Sequence, residues 1–522
     1  MLSFNHNAIY LDQLQSAQDD TAQMIMLGHC PGAVDLAYLF NTPPIVAQIA
    51  QLGFEKRLAV INNVLKAALK ARLEGNVEEE QDHRHWLYGL PIPIYSLQQF
   101  QKIFTHTQEP TLYQTALAGD QAWLPLAVED FFQAPTETAN IETNHKLWIV
   151  SVDQNLAQAG FLPQLGDDVL DSDNRGFHSS LHNALSVQSA ALMAMPDLER
   201  LQISSMLRKI PRMRLANIAP QFLPCSFDYQ DNHRERRYFK VTPTQPAPFH
   251  FTDIVVPVLQ KIAALRADIH WIYSMPFADD REDQQLKMSQ TAQHAISELQ
   301  TDAMASELHR VQLIYPYLQS QSGQLRSASA MIAKKMLSTS ARLGAWRSIA
   351  GMALGIGFKT FPDMQQNPAL INAKTLGIGL LNFTEGRLSL DSERLSAGVL
   401  QQNTLSSRRG EIARFIGWLR RNLENLGLDF IFQSDPQDPR PLMILNKFFN
   451  DLYTAGALQG ANAEQAFNIE QQYSEDKMIF EILFAPAFAI ESIKLNLTDN
   501  KLEALSQGGF NQGTRNKGVS NA

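Results

Sequence analysis

The sequence predicts a multi-domain protein of mixed α/β class, and three features carry that prediction. The apolar run Leu147-Trp148-Ile149-Val150-Ser151-Val152 reads as a fully buried strand and follows two helical patterns. A second run, Ala190 to Asp197, reads as another strand ending in a turn. Between residues 405 and 500 helix and strand patterns alternate again. With 522 residues the chain also exceeds what a single core sustains, roughly 250–300 residues.

Taken in order, residues 1–30 read as an extended arm and first strand, with the short apolar piece Ala8, Ile9, Tyr10 and Leu11 and the stronger strand Thr21 to Gly28. Residues 31–199 form an α/β region with a helical insertion. A helix is expected from Pro44 to Glu74, with Leu58, Ile61, Leu65 and Leu69 among its apolar positions and Gly75 as its stop. Pro93 to Ser96 leads into a helix carrying Leu97, Phe100, Ile103 and Phe104, and a further helix spans Leu124 to Phe132. Residues 200–305 are rich in proline, with helical patterns near 252–266 and 283–304, and are expected to be an inserted or decorating region. Residues 306–404 hold the strand Val311 to Tyr315, then helix and glycine-rich loop.

In the C-terminal domain, 405–500, a helix runs from Arg409 to Leu426 with Gly427 after it. A short strand, Leu428 to Phe432, follows. A second helix runs from Leu442 to Ala455 and ends at Gly456. Strands Met478 to Phe484 and Ile490 to Leu497 close the domain, and 501–522 reads as a disordered tail.

Composition excludes several functions. The net charge is −9, from 44 basic and 53 acidic residues, which argues against a nucleic-acid partner. Two cysteines, Cys30 and Cys225, fit synthesis in a reducing compartment. The N-terminus lacks the basic and apolar regions of a signal peptide, and the apolar stretch Ile349 to Phe358 is about half a membrane span. Cytoplasmic synthesis without a membrane anchor is expected. Any extracellular role then requires release by lysis or within a larger particle.

Catalytic motifs fail on inspection. Gly351 to Thr360 looks like a phosphate loop, but Phe358 separates Gly357 from Lys359, and the motif needs glycine immediately followed by Lys-Ser/Thr. His83 and His85 near Glu78, Glu79 and Glu80 lack the second ligand pair of a zinc site. His29 and Cys30 are adjacent, so on a strand they face opposite sides. No catalytic residue, cofactor or metal is expected.

The C-terminal segment resembles the contractile phage-tail sheath family. Glu411-Ile-Ala-Arg-Phe-Ile-Gly-Trp-Leu is similar to the first helix of that family's C-terminal domain. Phe448-Phe-Asn-Asp-Leu-Tyr-Thr-Ala-Gly456-Ala-Leu-Gln-Gly460 is similar to its "leu-trp-x-x-gly-ala-leu-x-gly" segment, and Ala463-Glu-Gln-Ala-Phe-Asn-Ile to its "pro-glu-glu-ala-phe-x-val". Upstream, Ile94 to Phe100, Val128 to Phe132, Leu147 to Val152 and Leu192 to Leu198 follow the family's N-terminal order, the last resembling "leu-x-leu-pro-asp-leu". Ile314 to Leu318 and Asn367 to Asn372 are weaker matches. Two signatures are replaced: Gln321 to Ala330 stands for "pro-pro-ser-gly-x-val-ala-gly", and Leu380 to Gly386 for "trp-gly-ala-arg-thr". These departures point to a divergent, minor or baseplate-proximal paralogue of the kind found in extracellular injection systems and tailocin-like particles.

The resemblance implies a self-assembling subunit that polymerises in hexameric rings around an inner tube, with paralogous subunits and baseplate proteins as partners, and contracts without nucleotide hydrolysis. Subunits would be joined by strand exchange, in which a terminal strand adds to a neighbour's open sheet edge. The strands concerned are Ala8, Ile9, Tyr10 and Leu11 at one end and Ile490, Ile493, Leu495 and Leu497 at the other. Inner-tube contact is assigned to Arg409, Arg414, Arg420 and Arg421 on the first C-terminal helix. A non-contracting baseplate adaptor or sheath terminator is the alternative on the same architecture, and an enzyme with a decorating central region is the alternative of another class.

Overall fold

The computed structural model describes residues 23–487, except 75–83, 106–108, 116–117, 134–145, 165–177, 204–249, 280–285, 356, 363–369, 385, 398–407, 431–437 and 475–476. Its centre is a mixed sheet of nine strands: β1 (Gln23–Gly28), β2 (Pro91–Ile94), β5 (Leu147–Ser151), β6 (Ala190–Ala194), β7 (His270–Ser274), β10 (Val311–Tyr315), β13 (Ala353–Gly355), β15 (Gly379–Thr384) and β16 (Arg387–Leu390). Small sheets pair β3 (Pro110–Thr115) with β4 (Gly119–Gln121) and β8 (Phe277–Asp279) with β9 (Leu286–Met288). A third joins β11 (Tyr317–Ser320), β12 (Leu325–Arg326) and β14 (Phe358–Phe361), and β17 (Phe467–Ser474) pairs with β18 (Lys477–Phe484) as a hairpin.

Strands β5, β1, β6, β7, β10 and β15 lie side by side in that order and are parallel. The chain moves outward from β1 to β5, returns to β6 on the other side of β1, and then proceeds away. This is the doubly wound pattern, with its switch point between β1 and β6. These strands are buried on both faces where they pair in parallel, as that arrangement demands, and only the far end of β15 emerges, at Phe383. Met24 and Met26 of β1 enter one core, packed under helices Trp123–Gln133 and Ser329–Leu343. Ile25 and Leu27 enter the other, under helices Phe251–Leu265 and Gln290–Leu299.

A third core belongs to the C-terminal layer. Phe415, Trp418 and Leu419 of helix Gly410–Phe430 pack with Phe448, Phe449 and Leu452 of helix Arg440–Thr454, against Phe467, Ile469, Ile482 and Phe484 of the hairpin. The second helix ends as expected at Gly456, whose φ is +76°. Ala457 N donates to Leu452 O and Gly456 N to Tyr453 O, the paired bonds of a Schellman stop.

Several expectations need revision. Helix continues through Leu428 to Phe430, where a strand was expected; Gly427 has open space around it and stays within the helix. A five-residue strand there has no described sheet to join, and extending an existing helix adds one bond per residue. The Pro44–Glu74 helix is bent at Gly53 (φ +89°) into Pro43–Ile49 and Glu55–Leu73. The described part of 200–305 is not a decoration, because β7 lies near the middle of the sheet. Its sequence, HWIYS, mixes polar groups into a buried strand and so lacks an apolar signature. The segments Ala8 to Leu11 and Ile490 to Leu497 lie outside the described residues.

The C-terminal layer is fastened to the sheet by close approach and buried charge. Arg421 donates to Asp268 Oδ2 (2.8 Å) and Asp268 O (3.1 Å), and Arg266 grips the same carboxylate at 2.8 Å. Burial pushes the Asp268 carboxyl up, but the hydrogen bonds and charges of Arg266 and Arg421 outweigh it and hold it below the usual range. The helix reaches this depth because Gly417 has no side chain: a Cβ there would lie 2.3 Å from Asp268 O. Helix propensity alone predicts that alanine at Gly417 or Gly427, the two glycines inside this helix, stabilises by about 1 kcal/mol. We expect Gly427→Ala to follow propensity and Gly417→Ala to lose about 1–3 kcal/mol through overpacking. Thermal unfolding followed by tryptophan fluorescence checks this, and equal gains for both variants would contradict the docking geometry.

Candidate functional site

In a doubly wound sheet, ligands bind beyond the carboxyl ends of the strands flanking the switch point. Here that place is occupied by protein. The turn after β6 starts helix Pro196–Leu201, whose Asp197 points back across the ends of β1 and β6. Asp197 Oδ2 accepts from His29 N (2.8 Å) and Leu124 N (2.9 Å), and Oδ1 from Trp123 N (2.9 Å) and Arg200 Nε (3.2 Å). Trp123 and Leu124 open helix Trp123–Gln133, so the carboxylate caps that helix from a distant part of the chain and meets its positive dipole end. Gly28 permits the approach: a Cβ there would lie 2.6 Å from Asp197 Oδ2 and from Leu124 Cβ.

The reactive groups nearby are enclosed. His29 is fully buried, and burial lowers its pKa to about 4 despite Asp197 at 3.8 Å, so it is neutral at physiological pH. Burial, with the Asp197 charge, pushes the Cys30 thiol far up, so it stays a thiol. Glu199, on the same helix as Asp197, lies under the end of β7 with Ser274 and Ser327 facing its carboxyl. Among the described residues no cation pairs with it, and burial pushes its pKa up to about 7.

The other sequence candidates resolve as follows. Lys359 sits inside β14 opposite Gln319, so the glycine-rich stretch leads into a strand pair and not into the helix a phosphate loop requires. The ring of His85 lies tilted against that of Trp86, His83 lies outside the described residues, and no group of three metal-ligating side chains occurs among the described residues. No described helix is long and apolar enough to cross a membrane. Of the four arginines, Arg414 is buried against Glu393 and donates to Arg347 O, and Arg421 is buried against Asp268. Arg409 is half-buried near Glu411. Arg420 faces solvent, 54 % exposed, beside Glu424. In this conformation the surface that four arginines were expected to share reduces to Arg420, with Arg409 at its margin.

A second place stands out in the C-terminal layer. In the β17/β18 hairpin Phe467, Ile469, Ile482 and Phe484 pack inward, while Asn468, Glu470, Gln472, Ile479, Glu481 and Leu483 face outward. Ile479 and Leu483 are 50 % and 62 % exposed. Among the described residues, the backbone of each strand bonds to the other, apart from Phe467 N, which donates to Ala463 O of the preceding turn. Sequence reading missed β17, because FNIEQQYS carries one aliphatic residue between polar ones. The alternation of Phe467, Ile469, Gln471 and Tyr473 was the available signal.

No family model matches the chain, and no curated protein matches it. Among solved structures it is similar to the sheath complex in the contracted state of PVC, an extracellular contractile injection system (11% identity, 82% of this chain and 89% of that chain, TM-score 0.46). It is similar also to the helical sheath of the anti-feeding prophage in the contracted state (15% identity, 79% and 89%, TM-score 0.48). A shorter likeness is to a sheath tail protein from Desulfitobacterium hafniense (10% identity, 47% and 62%, TM-score 0.30).

Asp197 and Glu199 should respond oppositely to neutralisation. Asp197→Ala strands Arg200 and three backbone N–H groups, and is expected to lower stability by about 3–5 kcal/mol in denaturant unfolding. Glu199 is neutral in both states below its ordinary 4.5; above that the unfolded chain ionises while the folded chain holds its proton. The penalty therefore grows with pH and is complete above about 7, at about 3 kcal/mol. Glu199→Gln is expected to raise the melting temperature at about pH 8 and to flatten its fall with pH. An unchanged pH slope would contradict the buried, unpaired carboxyl.

Proposed function

We propose that the chain is a structural subunit of a contractile sheath, assembling with copies of itself or paralogous subunits around an inner tube. The observation that carries this reading is a contrast between sheet edges. The main sheet ends at β2, where Pro91 and Pro93 deny donors to a further strand, and at β13, which has three residues. The hairpin has eight-residue strands, no proline, and no further strand on either side among the described residues. Its β18, KMIFEILF, is apolar on both faces, the composition of an interior strand, yet it stands at an edge. A free pair of such strands is a template for addition.

Strands from neighbouring copies complete it. Ala8 to Leu11 and Ile490 to Leu497 are the segments proposed to add there, each on a chain end that lets the rigid body turn while the mesh stays joined. Main-chain bonds give such a joint strength without a large side-chain interface. The particle gains its contraction energy from a metastable lattice, so no nucleotide is needed. Arg420, with Arg409, is the candidate contact to an acidic inner tube. The subunit is made and assembled in the cytoplasm, joins baseplate proteins at the end of the particle, and leaves the cell with it.

Removing residues 489–522 is expected to leave a folded monomer that no longer polymerises, read by negative-stain microscopy and circular dichroism. Filaments of normal length from the truncated chain would contradict strand exchange.

A further inference from the structure

Two exposed faces of this chain have complementary chemistry. Helix Glu55–Leu73 carries the stripe Leu58, Ile61, Leu65, Leu69 and Leu73, at helical spacing. Leu58 and Ile61 are buried and Leu65 packs partly against the body, but Leu69 is 48 % and Leu73 88 % exposed. The apolar stripe thus outruns its support. Beside it stand the exposed Lys66 and Lys70, the latter meeting among the described residues the exposed Glu74 at 3.8 Å. Such a surface pair is weak enough to exchange partners.

The outer face of the β17/β18 hairpin has the opposite charge. Glu470 lies directly across from Glu481, both exposed, and like charges opposite one another disfavour the pairing. Asn468 Nδ2 donates to Glu470 Oε1 at 3.1 Å, which supplies a hydrogen bond but no charge. Two residues to either side of Glu481 are Ile479 and Leu483, the exposed apolar pair of this face. Leucines flanked by lysines on one face therefore match aliphatics flanked by glutamates on the other.

We infer that the distal half of helix Glu55–Leu73 of one copy docks on the outer face of the β17/β18 hairpin of a second copy, with Leu69 and Leu73 against Ile479 and Leu483 and Lys66 and Lys70 against Glu470 and Glu481. The inference rests on the proposed self-assembly and adds a contact separate from the hairpin edges. Because the two patches lie on different parts of the subunit, the contact is heterologous and repeats from copy to copy. Each contact is small and weak alone, and repetition in a lattice multiplies it.

A charge exchange in the full chain tests it. Lys66→Glu with Lys70→Glu is expected to lower the assembled fraction at least tenfold in sedimentation and negative-stain microscopy, and so is Glu470→Lys with Glu481→Lys. The chain carrying all four substitutions is expected to recover to within about twofold of the wild type. Assembly by either charge-reversed chain as good as the wild type, or no recovery in the combined chain, overturns the docking and leaves the sheath reading standing. A loss seen only when an inner-tube protein is present assigns the face to that protein and also overturns it. A wild-type chain that does not assemble overturns the sheath reading itself, and this contact with it.

Discussion

The fold depends on one buried carboxylate. Asp197 closes the crevice where β1 and β6 diverge, accepts from three backbone N–H groups on two other segments, and holds Arg200 beside it. Without an acceptor there, the first turn of helix Trp123–Gln133 and the turn after β1 would carry unsatisfied donors inside the protein. The same position in doubly wound proteins commonly admits a ligand. Filling it with protein converts a potential binding crevice into a rigid joint between the two layers of helices.

How much of this was legible in the sequence follows the physics of each element. Strands β1, β5 and β6 announced themselves because strands buried on both faces are continuously apolar. Strand β7 is equally buried, but His270 and Ser274 interrupt its pattern, and its place is set by parallel neighbours far away in sequence. Asp197 was visible only as part of the Leu192 to Leu198 resemblance; its role needs Gly28, His29 and Trp123 brought together, which no local pattern encodes. Gly417 and Gly427 look alike in sequence, yet one marks a contact with Asp268 and the other open space. The four arginines shared a helix in the sequence, and only tertiary packing separates the buried Arg414 and Arg421 from the exposed Arg420.

The functional reading follows from where the molecule is closed and where it is open. Its main sheet is sealed by proline at one edge and by brevity at the other. Its C-terminal layer is clamped to that sheet through Arg421–Asp268 and Arg414–Glu393, and so moves with the body. The hairpin alone combines long strands, aliphatic residues on its outer face and unpaired backbone among the described residues. A rigid body with an open hairpin can be joined to neighbours through chain ends while its own core stays intact. That division of labour is what a lattice needs if subunits are to rotate without dissociating.

Hydrogen exchange at the hairpin tests this most directly. The outward-facing amides of β17 and β18 should exchange rapidly in the isolated chain and become strongly protected in the assembled particle, together with amides of the chain-end segments proposed to add to them. Equal exchange in the two states, or full protection already in the monomer, would contradict the claim that the hairpin's open edges join the subunits.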